Sequence, residues 1–153
     1  MQHRVDPDSM GFLATDVARL IRAEMDRRIG EAGLGLTPGE GRTLVHIARA
    51  GAVRQTDLAE RMGIEPMTVT GFLDRLEAKE LVERMPDPAD RRAKRVHLTD
   101  AADRLLEKIA PLSAGLRADA SAGVSAEDWS RFLDTLKTVR ENLTAARALG
   151  AAA

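Results

Sequence analysis

The sequence predicts a mainly α-helical protein that carries one small β-hairpin. Apolar residues return at three- and four-residue steps through most of the chain, which is the spacing of helices with one buried face. Strand-like stretches are confined to residues 81–99, on either side of a turn rich in proline and aspartate. Only 3% of the residues are aromatic, so the core must be aliphatic, which favours helices.

The composition is that of one globular domain. The chain has 153 residues, 44% hydrophobic and 31% charged, a size at which roughly two thirds of the unfolded surface can be buried. The absence of cysteine excludes disulfides, thiolate nucleophiles and cysteine metal sites. No apolar run approaches the ~18 residues of a membrane span, and the polar start is unlike a secretory leader, so we expect a cytoplasmic protein. The net charge of −1 restricts any DNA contact to local patches.

Two helices are expected before the centre of the chain. The first covers residues 10–31, where aliphatic residues recur at helical spacing until a run of glycines ends it. Thr37 and Glu40 have the spacing of a capping box, in which each side chain accepts a hydrogen bond from the other residue's backbone amide. Pro38 lies between them, at a position where no amide donor is needed. A second helix therefore starts at this box and runs to about residue 50.

Residues 56–80 have the layout of a helix-turn-helix. Thr56 is expected to cap a short third helix, and Gly63 supplies the left-handed residue of the turn. The spacing of Ala59, Gly63 and Val69 is the one expected of this motif, because a small residue, a turn glycine and a β-branched residue meet where the two helices cross. An ordinary helical hairpin within a bundle is the alternative.

The fourth helix opens at Pro66 and has an outward face suited to a DNA groove. This face is small and uncharged near its start, where threonine hydroxyls and methyls can contact bases or phosphates. Arg75 lies one turn further on, in reach of a phosphate. A solvated helix face without a ligand is the alternative. The candidate contacts in the helix-turn-helix are Thr56, Met67, Thr68, Thr70, Gly71 and Arg75.

The hairpin supplies the positive charge. Four of the seven residues after Asp90 are basic. A cationic tip on such a loop can enter a minor groove, where negative potential is concentrated. We expect Asp90 to hold one guanidinium in a charge-assisted pair. A solvated charged loop is the alternative. The candidate contacts in the hairpin are Asp90, Arg91, Arg92 and Lys94.

The terminal helices carry apolar stripes that the small central block cannot cover. The fifth helix is expected to start at Thr99 or Asp100, and the last one behind a capping box of Ser125 and Asp128. A second copy of the chain is the simplest cover, giving an isologous dimer whose two recognition helices lie ~34 Å apart on a pseudo-palindromic operator. An intramolecular bundle is the alternative.

These expectations give a winged helix-turn-helix with dimerisation helices at both ends. We expect a single domain over residues 1–153. Within it, residues 36–99 form the DNA-binding block, and residues 10–31 and 100–147 form the dimerisation helices.

Three stretches resemble the MarR/SlyA family of bacterial regulators. They are residues 63–70 (GIEPMTVT), 73–77 (LDRLE) and 90–99 (DRRAKRVHLT), and the last is the most specific. The resemblance covers about residues 36–109. It implies a homodimeric regulator, more often a repressor, with a recognition helix over residues 66–79 and a wing arginine, Arg91 or Arg92, in the minor groove. It also implies release from DNA by a small aromatic or phenolic ligand, whose pocket residues the sequence does not identify.

The chain departs from this family at two positions. Gly71 stands where the family often has an arginine that reads bases, so Thr68, Thr70 or Arg75 must carry more of the readout. Glu80 replaces the glycine usual after the recognition helix, which affects the geometry of the turn. Because of Gly71, a winged-helix protein-interaction module that does not bind specific DNA sequences is the alternative function.

No pattern in the sequence indicates an enzyme. His3, His46 and His97 fall in the polar start, on the second helix and in a basic strand. The chain has no Ser/His/Asp set, glycine-rich phosphate loop or His-x-x-x-His pair. We therefore expect no catalytic residue, cofactor or metal site, and we expect His46 to lie on a helix surface or to line a pocket.

Overall fold

The computed structural model describes residues 5–152, which fall into two compact units, the first ending at Leu116 and the second beginning at Arg117. His3, singled out above, lies outside the described residues. The mainly helical class with a small hairpin is confirmed. The helices are α1 (Met10–Glu31), α2 (Pro38–Ala50), α3 (Gln55–Met62), α4 (Pro66–Ala78), α5 (Asp100–Ala120) and α6 (Ala126–Ala151). The strands are β1 (Val53–Arg54), β2 (Val82–Pro86) and β3 (Lys94–Leu98).

The local signals place most helix ends correctly. The capping box at the start of α2 is formed, since the Glu40 amide donates to Thr37 Oγ1 at 3.3 Å and the Thr37 amide donates to Glu40 Oε2 at 3.1 Å. Gly63 has φ 63° and ψ 36°, the left-handed conformation that the turn between α3 and α4 requires. The sixth helix starts behind Ser125 as expected and ends at Ala151, four residues beyond the expected 147.

The expected cap of α3 is wrong. Arg54, not Thr56, precedes the helix, and Thr56 lies inside its first turn. The reason is a short strand that the sequence analysis missed. Strand β1 pairs antiparallel with β3, with Val53 opposite Val96 and Arg54 opposite Arg95. This pairing holds Arg54 in an extended conformation, and the chain enters α3 directly from the sheet.

The sheet has the strand order β1-β3-β2, with both pairings antiparallel. The hairpin of β2 and β3 pairs Val82 with Leu98 and Pro86 with Lys94, so the basic loop at its tip covers residues 87–93. Val96 in the central strand β3 is fully buried, and this strand packs against α2 and α3. The core of this block is aliphatic, as expected. Its most deeply buried residues include Leu44, Ile47, Leu58, Val69, Leu73, Leu76 and Val96.

Gly39 lets α2 approach α4 closely. An ideal Cβ at Gly39 would lie 2.3 Å from Cζ of the Phe72 ring, well inside contact distance. We expect Gly39→Ala to lower the free energy of unfolding by about 1–3 kcal/mol, because the ring must move out of its site. Urea denaturation measures this. Gly30→Ala is the control, since its nearest non-local atom would be 3.9 Å away. No loss in Gly39→Ala relative to Gly30→Ala would contradict this close packing.

Glu80 holds a strained backbone conformation directly after α4. Its φ is 58°, and among the described residues it is the one non-glycine with positive φ. Its amide donates to the Glu77 carbonyl at 2.9 Å and its carbonyl accepts from Thr99 Oγ1 at 2.8 Å, so the surroundings hold it in place. Because Glu80 stands where glycine is usual, the left-handed turn after α4 carries strain.

We expect Glu80→Gly to raise the free energy of unfolding by about 1 kcal/mol, because glycine adopts this conformation without a Cβ clash. The same substitution at Glu83, an exposed residue of β2, should lower stability by about 0.5–1 kcal/mol. Thermal melts of the two variants compare the effects. Destabilisation by both substitutions would show that residue 80 is not strained.

The unit that begins at Arg117 contains α6, which buries none of its residues. Ser125 caps this helix by accepting a hydrogen bond from the Asp128 amide at 3.1 Å. The apolar residues exposed along it include Phe132, Leu133, Leu136 and Leu143. None of the helices in residues 5–152 is both long and apolar enough to span a membrane.

Candidate nucleic-acid interface

The first turns of α4 present a bare, exposed surface. Met67 is 80% exposed, Thr68 is exposed, and Gly71 adds no side chain. Pro66 opens the helix and Gly63 turns the chain into it, while Val69 on the opposite side is fully buried. The helix-turn-helix thus leaves its N-terminal outer face open to a partner.

Thr70 differs from the other candidates on α4 because its hydroxyl is already engaged within the chain. Gln55 Nε2 donates to Thr70 Oγ1 at 2.7 Å, and Thr70 Oγ1 donates to the Pro66 carbonyl at 3.1 Å. Gln55 therefore joins the start of α3 to α4 beside the exposed Thr56. Gln55 could not be predicted from the sequence, because a lone glutamine at a helix start carries no pattern.

The guanidinium of Arg75 is held by the carboxylate of Glu40 and the ring of Phe72, a pairing that was not predicted from the sequence. Its Nε donates to Glu40 Oε1 at 3.0 Å, and its guanidinium carbon lies 5.3 Å from the centroid of the Phe72 ring. Lys79 Nζ contacts the other carboxylate oxygen of Glu40 at 2.6 Å. Glu40 is only 1% exposed, so two cations of α4 meet a buried carboxylate of α2.

This carboxylate remains ionised despite its burial. Burial raises the pKa of Glu40, but Lys79, the Thr37 amide and Arg75 lower it by more, so the net pKa lies below its ordinary value. The capping box identified Glu40 from neighbouring residues alone. Glu40 also contacts Arg75 and Lys79, which lie 35 and 39 positions further along the chain. No local pattern shows this second role.

A buried aspartate orders the base of the hairpin loop. Asp87 Oδ2 accepts from Arg54 Nε at 2.8 Å, and Arg95 Nε lies 3.2 Å away from the same oxygen. The backbone amides of Ala89 and Asp90 donate to Oδ1 at 2.7 and 3.3 Å. Arg54 and these amides lower the pKa of Asp87 to about 2 although burial opposes them, so its charge persists over most of the acidic range.

The expectation that Asp90 holds a guanidinium is wrong. The Asp90 side chain accepts from the Arg92 amide at 3.0 Å, and it is Asp87 that pairs with arginine. The physical reason is the fold of the loop. The Asp87 amide donates to the Ala93 carbonyl at 2.9 Å, which closes the loop and leaves Asp87 buried while Asp90 stays exposed.

Arg84 connects the hairpin to α4. One of its terminal nitrogens lies 2.7 Å from Asp74 Oδ1 and 2.5 Å from Glu77 Oε2. Because both acids belong to α4, this arginine links the wing strand β2 to the helix. Arg91 and Arg92 are exposed in the loop, and neither forms an ion pair with another described residue. The wing therefore combines an ordered base with two cations free at its tip.

A cavity of about 480 Å³ lies within the first unit, beside α1 and α2. His46 lines this cavity, and a pocket was one of the two positions expected for it from the sequence. Burial lowers the pKa of His46, and the neighbouring cations Arg49, Arg42 and Arg22 lower it further. Three arginines, Arg22, Arg42 and Arg49, thus lie beside His46 at this cavity. Its other lining residues include the apolar Ile21, Met25, Val45 and Met62. Within residues 5–152, no group of three or more His, Asp or Glu side chains is arranged to hold a metal.

Comparisons with known proteins identify the family. A family profile described as MarR family matches residues 36–94. The solved structure of the transcriptional regulator PA3341 is 34% identical, covers 89% of this chain and 98% of its own, and has a TM-score of 0.74. A MarR-family regulator from Rhodococcus sp. RHA1 is 26% identical over 89% of this chain and 95% of its own, with a TM-score of 0.74.

A third similar structure contains a ligand. CouR from Rhodococcus jostii RHA1, solved with p-coumaroyl-CoA, is 27% identical over 86% of this chain and 92% of its own, with a TM-score of 0.68. The resemblance seen in the sequence is thus confirmed by the profile over the winged block and by likenesses that extend over most of the chain. The chain belongs to the MarR family of winged-helix transcriptional regulators.

Proposed function

We propose that this protein is a DNA-binding repressor that acts as a homodimer on a pseudo-palindromic operator. One observation carries the proposal: a wing is anchored through Asp87 to the sheet and through Arg84 to α4, and it presents two arginines at its tip that pair with no other described residue. An anchored wing can act together with α4, because both are held in one arrangement before DNA is met.

In this proposal α4 enters the major groove by its first turns. Met67 and Thr68 are exposed there and can contact thymine methyls and base edges. The Thr70 hydroxyl is engaged by Gln55, so Thr70 acts mainly by fixing α4 against α3, beside Thr56 at the DNA backbone. Arg91, Arg92 and Lys94 supply the minor-groove and phosphate contacts of the wing, with Asp90 shaping the loop through its bond to the Arg92 amide.

The exposed apolar faces support the homodimer. Helix α1 exposes a row of large apolar side chains that includes Phe12, Leu13, Val17 and Leu20, each about half exposed. Helix α6 exposes a second row, described above. Rows of this length are uncommon on a monomer, and a second copy of the chain would cover them. Dimerisation would set two recognition helices ~34 Å apart, one turn of DNA.

The cations that line the cavity favour an effector that is aromatic or phenolic and carries a negative charge. An apolar floor suits a ring, and the arginines and His46 beside it suit a carboxylate. An anion there would raise the pKa of His46. Aromatic carboxylates should therefore raise the melting temperature and loosen DNA binding, whereas their methyl esters should do neither.

The test of DNA binding is selection of bound fragments from the host genome, followed by affinity measurements at increasing salt. We expect one class of sequences to be enriched, with affinity that falls steeply as salt rises, because bound phosphates release counterions. Sedimentation of the free protein should give a dimer. A monomer that enriches no sequence at low salt would refute the proposal and favour a protein-interaction module.

A further inference from the structure

The surface of α4 beside Gly71 is occupied by the side chain of Arg75. Side chains on a helix point toward its N-terminus, so Arg75 reaches back by one turn. An ideal Cβ built on Gly71 would lie 3.7 Å from Nη1 of Arg75. The guanidinium therefore lies next to the place where a side chain at position 71 would begin, in the half of the helix that a major groove receives.

The guanidinium is held there by two groups. Glu40 accepts from Nε at 3.0 Å, and the face of Phe72 lies 5.3 Å from the guanidinium carbon. Glu40 is itself restrained, because it is buried and Lys79 Nζ occupies its second oxygen. Phe72 has its position because Gly39 offers no side chain to block it. Residues of α2 thus fix an arginine of α4.

The outer end of Arg75 remains available. The side chain is 52% exposed, and its two terminal nitrogens donate no hydrogen bond to any of residues 5–152. With Nε taken by Glu40, these nitrogens form an end-on pair of donors. That pair matches O6 and N7 of guanine, the commonest specific contact of arginine in the major groove. Restraint before binding reduces the entropy lost on contact.

We propose that Arg75 reads a guanine of the operator across the space that Gly71 leaves empty, and that Glu40 is its positioning residue. The inference rests on the DNA-binding function proposed above. It differs from a phosphate contact at Arg75, which would need no fixed guanidinium and would carry no base preference. The buried ion pair with Glu40 and the empty position 71 together favour the base contact.

The test uses operators in which single guanines are replaced by 7-deazaguanine, which lacks the N7 acceptor. We expect one replacement in each half-site to weaken binding of the unaltered protein about 5- to 100-fold. The same replacement should have little effect on Arg75→Ala, which has already lost the contact. The affinity of Arg75→Ala could instead be lower than that of the unaltered protein by the same factor on every operator, with or without the analogue. In that case Arg75 contacts a phosphate and the inference is wrong.

The positioning role is tested by Glu40→Ala, with Lys79→Ala as the matched control. Both variants break an ion pair of the same buried carboxylate, but only the first releases Arg75. We expect Glu40→Ala to lose most of the sensitivity to 7-deazaguanine and Lys79→Ala to keep it. Circular dichroism checks that each variant is folded, and Glu40→Gln, which keeps the shape of the side chain but removes the charge that holds Arg75, replaces Glu40→Ala if that variant unfolds.

Each outcome has a separate meaning. Full sensitivity in folded Glu40→Ala, or in Glu40→Gln where it replaces that variant, would overturn the positioning role. The unaltered protein could bind its operator selectively while no 7-deazaguanine replacement weakens binding in a way that depends on Arg75. This result would overturn the base contact, and the proposed function would stand. An unaltered protein that selects no sequence would contradict the proposed function itself, and the inference with it.

Discussion

Replacing Arg91 and Arg92 together by alanine removes four cations from the proposed dimer and is expected to reduce its affinity for the operator about 10,000-fold. Both guanidinium groups are exposed at the tip of an ordered loop, without an ion pair to another described residue. Each contact to a groove or phosphate contributes about 1.5 kcal/mol, which is roughly tenfold in affinity. Fluorescence anisotropy with a labelled operator measures the loss at fixed salt.

The salt dependence gives a second readout of the same variant. Removing two cations from each protomer removes four from the bound dimer, so the slope of log affinity against log salt should fall by about 3.6. Replacing Arg104 and Lys108, which are exposed on α5, removes the same charge elsewhere and should leave affinity and slope nearly unchanged. Equal losses in both double variants would mean that net charge, not the wing, determines binding.

The features predicted correctly from the sequence are those that depend on neighbouring residues. Thr37 and Glu40 are three residues apart, and Gly63 needs only its own backbone conformation, so the cap and the turn could be placed before the fold was known. The apolar periodicity of the helices is equally local, and in α4 Val69, Leu73 and Leu76 follow it and are all buried.

The wrong or missing features depend on residues that are distant in the sequence. Thr56 was expected to cap α3, but pairing of Arg54 with Arg95 places the start of the helix elsewhere. Asp90 directly precedes Arg91 and Arg92, which suggests a pair with one of them, but the closed loop buries Asp87 instead and leaves Asp90 exposed. Gln55 and the second role of Glu40 went unnoticed for the same reason.

The free energy of unfolding should fall by about 2–3 kcal/mol in Glu40→Ala. The substitution removes a buried carboxylate that satisfies the Thr37 amide, Arg75 and Lys79 at once. Loss of one partner of a buried ion pair costs about 3–5 kcal/mol, and the half-exposed cations recover part of this by contact with water. Asp26→Ala is the control, because its ion pair with Arg42 also joins two helices but is more exposed, and it should cost under about 1 kcal/mol.

Acid should remove the same contribution in the unaltered protein. The pKa of Glu40 in the folded state lies below its ordinary value of 4.5, since Lys79, Thr37 and Arg75 outweigh the opposing effect of burial. The unfolded chain therefore takes up the proton first as pH falls, so the stabilisation is complete above about 4.5 and is lost as pH drops through the lowered pKa. Urea denaturation from pH 7 to pH 3 should show the gap between Glu40→Ala and the unaltered protein closing toward acid. A gap that stays constant over this range would mean that the charge of Glu40 does not stabilise the contact between α2 and α4.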